Sequence, residues 1–420
     1  MVCFRYQIFL EKSSLVKKCH PVYATVAGFC LIAIGLSLCR FAYAPLIPSM
    51  IDHHWVTASG AGYLGGFNFL GYLIGCGAAL FLPRRIGVTL LMRFSLVLAV
   101  VGQSMCVWDL GFAWLALARF LAGLAGASLV IHAPEVVLKH ISERWKTVVN
   151  GVVFAGAGAT IVFVCLLLPT FLAISVNAGW MFEAGLTLIA AVIAWPIARS
   201  TEPLAGEKQA SLPKLERPTA FALLLIGIAY FLAAISITPH TLFLPDYLHN
   251  RFGTTAAVSS RLFSLVGLGS LVGALTSGVI ARLLGTQLAL MINYLLGAVG
   301  VLMVLVFANV TLITVSAFLI GFFLLCCVPL TSVRCREISG RIRASHDWGV
   351  LTLMFGVGLA VGSYGMSGLL SRGVSYYRLF VIAQVTSLAS LLLSIWLLKG
   401  THQQTTSDSL TEARQHEAAD

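Results

Sequence analysis

Charge is scarce in this sequence. Only 10% of its 420 residues are Asp, Glu, Lys or Arg, and 59% are hydrophobic, whereas an average soluble domain is roughly 25% charged. That shortage excludes a water-soluble globular protein. Paired-cysteine motifs are missing too. The ten cysteines contain no C-x-x-C, and most (Cys30, Cys39, Cys76, Cys106, Cys165, Cys326, Cys327) sit inside apolar runs. Neither a disulfide framework nor a zinc site is indicated, and these thiols read as small core residues. No phosphate loop, nucleotide fingerprint or metal-binding His/Cys/Asp cluster occurs, so no cofactor is expected and ATP does not drive the work. The net charge of +11 would suit nucleic acid only on a soluble basic face. Here Lys and Arg lie in short segments between apolar runs, and nucleic acid is not an expected partner.

What the sequence has is apolar length. A membrane helix needs about 20 apolar residues to cross a bilayer core. Twelve such segments are legible, six between 22 and 198 and six between 219 and 398. The polar stretch R-S-T-E-P-L-A-G-E-K-Q-A-S-L-P-K-L-E-R-P (199–218) divides them and reads as a cytoplasmic linker. Residues 1–21 read as an uncleaved cytoplasmic tail, since no small-residue cleavage site precedes the first long run. Residues 399–420 are polar and read as a disordered cytoplasmic tail. With the amino terminus inside, 21 of the 27 Lys and Arg fall on the inner side; the others are Arg40, Arg119, Arg251, Arg261, Arg372 and Arg378. This imbalance predicts that both termini are cytoplasmic.

The halves also resemble each other. F-L-A-G (120–123) matches F-L-I-G (318–321), G-V-V (151–153) matches G-V-L (349–351), and P-R-R-I-G (83–87) matches A-R-L-L-G (281–285), all at an offset of 198. L-I-P (46–48) matches F-L-P (243–245) at 197. The predicted fold class is an all-α integral membrane protein of twelve transmembrane helices in two parallel six-helix repeats, the plan of major facilitator transporters.

Further motifs carry a family resemblance. L-F-L-P-R-R-I-G (80–87) and G-V-I-A-R-L-L-G (278–285) are similar to the cytoplasmic Gly-x-x-x-Asp-Arg-x-Gly pattern of the major facilitator superfamily, but Arg84 and Arg282 stand where an acid is expected. R-F-L-A-G-L-A-G-A (119–127) resembles the family's Arg-x-x-x-Gly-x-Gly helix. The fifth segment, G-V-V-F-A-G-A-G-A-T, lacks the proline of the antiporter pattern, which argues against drug–proton antiport. G-L-S-L-C-R-F-A-Y-A-P-L-I-P (35–48) with A-G-Y-L-G-G-F-N-F-L-G-Y-L-I-G (61–75) looks like the YbfB/YjiJ-type bacterial branch. The resemblance implies a monomeric transporter of the bacterial cytoplasmic (inner) membrane. It also implies protons as the coupling ion, spans one, four, seven and ten around a central cavity, and a coupling or gating role for Arg119 and for the loop residues Arg84, Arg85 and Arg282.

Individual residues sharpen this. Arg40 lies in the first span some ten residues from its outer end, too deep to snorkel easily. An intramembrane charge costs at least about 2.5 kcal/mol on insertion scales and usually marks function. Tyr43, one turn on, is expected on the same face as a substrate contact. Arg119 shares a helix face with Gly123 and Gly126 and serves either coupling or structure. Glu135 stands four residues before Lys139, so an interfacial ion pair competes with a proton-carrying role. Glu183 reads as structural, near the outer end of the sixth span. Asn68, amid Gly65, Gly66, Gly71 and Gly75, either touches substrate or ties helices together. His240 follows Pro239 on the seventh span, either titrating or hydrogen-bonding a loosened turn.

No deep acid stands out as a proton carrier. Buried cations without an acidic partner point to an anionic group, a carboxylate or a phosphate, on a small-molecule substrate. The expected function is secondary active transport of such a solute by alternating access. Export of apolar or cationic compounds is the alternative, and a membrane-embedded enzyme or receptor lacks a visible catalytic cluster or sensory domain.

Overall fold

A computed structural model of the chain describes residues 19–199 and 215–417. Most of the predicted amino-terminal tail and of the linker lies outside the described residues, as do residues 418–420. Everything regular in the described residues is helical. The first half holds α1 (Pro21–Ile32), α2 (Ile47–Asp52), α3 (Ala58–Phe81), the short α4 (Pro83–Ile86), α5 (Val88–Met105), α6 (Phe112–Leu138), α7 (Lys146–Leu172) and α8 (Val176–Ala194). The second holds α9 (Arg217–Thr238), α10 (Leu244–Phe252), α11 (Ala256–Leu284), α12 (Thr286–Val306), α13 (Val310–Ser371) and α14 (Tyr376–Glu417).

Among the described residues, 11 segments are long and apolar enough to cross a membrane, with α13 counted as two, Val310–Gly340 and His346–Ser371. The backbone of α13 leaves helical geometry at Gly340 (φ 69°, ψ 171°). The 24-residue α3 is not among the 11. That count covers the described residues only, and the side chain of Leu80 in α3 lies outside them. Side chains turned outward, such as Leu188, Ile189 and Val192 on α8 and Val385, Leu392 and Trp396 on α14, are apolar and exposed, a surface made for lipid. The backbone of α14 stays helical to Glu417, where a disordered tail from 399 is predicted. No proline follows Gly400, and an existing helix propagates at little cost.

Without a hydrophobic drive between helices in lipid, close packing relies on small residues. On α3 and α6, a Cβ added at Gly71, Gly75 or Gly123 would strike the main-chain carbonyls of Phe120, Leu124 and Asn68, respectively. On α11 and α13, Gly269, Gly273 and Gly321 meet the carbonyls of Phe318, Phe322 and Val266 in the same way. Each glycine and each partner recurs 198 residues later (71 and 269, 120 and 318, for example). Gly87 and Gly285, also 198 apart, both end a short loop at φ 78° with ψ 152° and 151°, a region open essentially to glycine alone.

The halves meet along α7 against α11 and α3 against the later part of α13. Two hydroxyls close these seams. Ser363 Oγ donates to Gly62 O at 2.9 Å and Ser260 Oγ donates to Cys165 O at 3.3 Å. Residues 62 and 260, and 165 and 363, are again 198 apart.

Candidate functional site

The site begins with a break in the first predicted span. After α1 the chain is π-helical over Ala33–Leu38, leaves helical geometry at Arg40 (φ −135°, ψ −70°), and continues as a 3-10 turn over Phe41–Leu46 before α2. Pro45 has no N–H to continue a helical ladder through this stretch. Loosened backbone inside a membrane needs polar partners, and three consecutive carbonyls find them on three helices. Gln103 Nε2 of α5 donates to Leu38 O. Asn68 Nδ2 of α3 donates to Cys39 O and to Arg119 O, both at 2.8 Å. Arg119 Nη2 of α6 donates to Arg40 O at 3.4 Å. Asn68 therefore ties helices together, one of its two predicted roles.

The break aims Arg40 at α3. Its guanidinium carbon stands 4.8 Å from the Phe41 and Phe69 ring centroids and 4.9 Å from that of Tyr72, distances at which ring faces attract a cation. Tyr230 of α9 lies within electrostatic reach from the other half. Only 7% of the residue is exposed. Nε and Nη2 are buried without an acceptor, and no carboxylate among the described residues forms an ion pair with Arg40. Those two nitrogens share one edge of the guanidinium, the fork that takes a carboxylate side-on.

Arg119 has different surroundings. It is 1% exposed, with its guanidinium carbon 4.4 Å from the Tyr43 ring centroid and 6.0 Å from that of Trp180. Tyr43 and Trp180 stack at 6.1 Å and 25°, and the Tyr43 hydroxyl donates to Ala61 O at 3.0 Å. This corrects the expectation for Tyr43. One turn of regular helix would set it beside Arg40, but the break turns Tyr43 toward α6 and α8, where its ring and hydroxyl are both engaged. Glu183, on the same helix as Trp180, is wholly buried with neither carboxyl oxygen hydrogen-bonded, and Arg119 is the charged group acting on it. The first half thus does hold a deep acid.

His240 is also displaced from its predicted cavity role. It lies in a π-helical turn, Pro239–Phe243, with Nε2 2.8 Å from Ser316 Oγ and its ring edge-on to Phe380 at 5.1 Å. Ser316 Oγ donates onward to Gly300 O at 2.5 Å, so its lone pairs face the histidine and Nε2 carries the proton. The imidazole is packed into its own half. Glu135 is 41% exposed and pairs with Lys139 at 2.9 Å, with His132 Nδ1 at 3.9 Å. Arg85 is exposed. Arg282 is exposed as well and donates to Gly278 O at 3.3 Å. For Arg84 the backbone lies in α4 and the side chain is outside the described residues. Arg40, Asn68, Arg119 and Tyr43 therefore assemble around one break, and His240, Glu135, Arg85 and Arg282 stand apart from it.

The chain matches the family model MFS_4, "Uncharacterised MFS-type transporter YbfB", over residues 32–408. It belongs to this family. The match spans all the helices described from the break onward, and the motifs around Arg40 that resemble the YbfB-type branch fall within it. As a member of MFS_4, the chain is a multi-pass membrane protein of a transporter family. No curated protein matches it. Gln103, Tyr72, Trp180 and Tyr230 join the residues around the break and are not singled out in the sequence, while Glu183, read there as structural, lies buried beside them. Gln103 had a signal, a lone amide in the apolar run V-V-G-Q-S-M; the aromatic residues had none, being ordinary membrane-helix residues until the fold gathers them.

Proposed function

We propose that this protein is a secondary active transporter that carries a small anionic solute, held by Arg40, across the bacterial cytoplasmic membrane with protons as the coupling ion. The observation that carries this reading is the buried fork of Arg40, a fixed cation with two idle N–H groups and no acidic partner. A charge held in the membrane interior is stable when paired or functional, and a substrate carboxylate or phosphate supplies the missing acceptor. The aromatic rings around the guanidinium would suit an apolar body on that solute.

In this reading α3 is the twelfth span, the recurring 198-residue contacts reflect two six-helix halves, and the halves rock about the central site. Contacts between the halves support one closed end. At the Asp52 end, His249 Nε2 stands 3.4 Å from Asp52 Oδ1, and the two serine hydroxyls bridge the seams. Toward the other end the approach relaxes. A methyl at Gly356 would stand 3.6 Å from Leu73 Cδ1, and at Gly151 3.8 Å from Ala274 O. With both termini cytoplasmic, the closed end is the outer one and the protein faces inward as a monomer.

Counterflow in proteoliposomes tests the function. Liposomes loaded with one of a panel of carboxylates and phosphates should accumulate the labelled compound, and a pH gradient should bias the flux. Accumulation of only cationic or apolar compounds would favour export of those instead. Chemical turnover with no movement of any compound would favour an enzyme.

A further inference from the structure

Glu183 is the acid that sequence reasoning sets aside as structural. Its side chain is wholly enclosed, and neither carboxyl oxygen has a hydrogen-bond donor. The ionisable groups that interact with it electrostatically are Arg119 on α6, Cys39 in the break, Cys106 just beyond α5 and Cys165 on α7. Arg119 is its one cationic neighbour among the described residues, yet the two form no direct ion pair. Arg119 keeps Nη2 on Arg40 O and lies over Tyr43, leaving Nε and Nη1 without acceptors. A buried carboxylate with no donor is costly, and a neutral carboxylic acid is much less so. This arrangement is the one a neutral Glu183 permits.

We propose that Glu183 is the proton-binding group of this transporter and that Arg119 relays its protonation to Arg40. This rests on the transport reading above. With the proton on Glu183, Arg119 stays on the Arg40 carbonyl and holds the break, and with it the direction of Arg40's fork. When the O–H bond breaks and the proton leaves to water, the carboxylate becomes the strongest acceptor near the guanidinium. Arg119 then moves off Arg40 O, and the break is free to change shape. Two buried states thus exchange one partner of one arginine, a discrete element that a proton and a substrate can both bias. Trp180 lies beside this exchange, 6.0 Å from the Arg119 guanidinium carbon and stacked on Tyr43.

Infrared difference spectroscopy of the purified protein in lipid, titrated with pH and with no substrate added, tests the assignment. The expected result is a carbonyl-stretch band of a buried carboxylic acid that vanishes as pH rises. It should persist in Arg40→Gln and be missing in Glu183→Gln. The fluorescence difference between the protein and its Trp180→Phe variant should change over the same pH interval. A band that survives in Glu183→Gln would overturn the proposal, as would a titrating band with flat Trp180 emission. Should Glu183→Gln fail to fold, Glu183→Asp serves, since it keeps the acid and must shift the band; an unmoved band counts against the assignment. Because no substrate is present, a negative result leaves the anion reading standing, and loss of anion binding at Arg40 leaves the band in place.

Discussion

The Nη2 of Arg119 donates to the main-chain carbonyl of Arg40 at 3.4 Å, so one buried arginine holds the backbone of the other. In sequence the two look like a pair of equivalent intramembrane cations. Their partners separate them: Arg119 spends one nitrogen on main chain, while Arg40 keeps a whole edge of its guanidinium unused. The broken first span thus becomes a device that presents one cation and is braced by three polar side chains.

Removing a brace should loosen the break. Asn68→Ala strips donors from Cys39 O and Arg119 O, and Gln103→Ala strips one from Leu38 O. An unsatisfied buried carbonyl costs about 1–3 kcal/mol, so each variant should unfold at a lower temperature in detergent. Because both brace adjacent residues of one turn, their effects should not add. A double-mutant cycle should show a coupling of about 0.5–3 kcal/mol, and strict additivity would mean that the braces act independently.

Glycines that look alike in sequence should respond in opposite ways to a single methyl. Gly123→Ala drives a Cβ into the Asn68 carbonyl and to 3.0 Å from Tyr72 N, and overpacking of this kind costs about 1–3 kcal/mol. Gly77, on the same α3 as Gly71 and Gly75, has nothing within 4 Å of an added Cβ. Gly77→Ala should therefore be neutral or stabilising by about 0.5–1 kcal/mol through helix propensity. Thermal unfolding of the two variants side by side checks the contrast.

The seam between α7 and α11 offers a lock. Ser260 Oγ reaches the main-chain carbonyl of Cys165 across the seam, so the Ser260→Cys variant sets two thiols on facing helices where a disulfide can be sought. Mild oxidation should cross-link the halves, detected by mass spectrometry of the joined peptides. Counterflow should stop and return with reductant, while the wild type is indifferent to both treatments. Cross-linked protein that still exchanges solute would show that this seam does not open.

Much of this was legible in the sequence, for identifiable reasons. Apolar length and the 198-residue echo announced the helices, because both are properties of composition and spacing. Arg40 announced itself because a cation in lipid is expensive. Tyr43 misled because the 3.6-residue period assumes an unbroken helix, and no local residue states that a π turn and a 3-10 turn meet at Arg40. Pro239 signalled a distorted turn at His240, but the direction in which that ring points depends on Ser316, 76 residues away. Glu183 looked peripheral because its depth is set by helices that pack over it from four other parts of the chain.

The central claim is that Arg40 holds the solute by an anionic group. Thermal unfolding of purified protein against a panel of carboxylates, phosphates, cations and neutral metabolites, run in parallel on the wild type and on Arg40→Gln, addresses it most directly. Ligand at 100 times its Kd stabilises the folded state by about 2.7 kcal/mol, readily seen as a raised Tm. The account predicts that one class of anion raises the wild-type Tm and that the effect disappears in Arg40→Gln. An anion shift that survives in Arg40→Gln, or stabilisation by cations or neutral compounds alone, would contradict it.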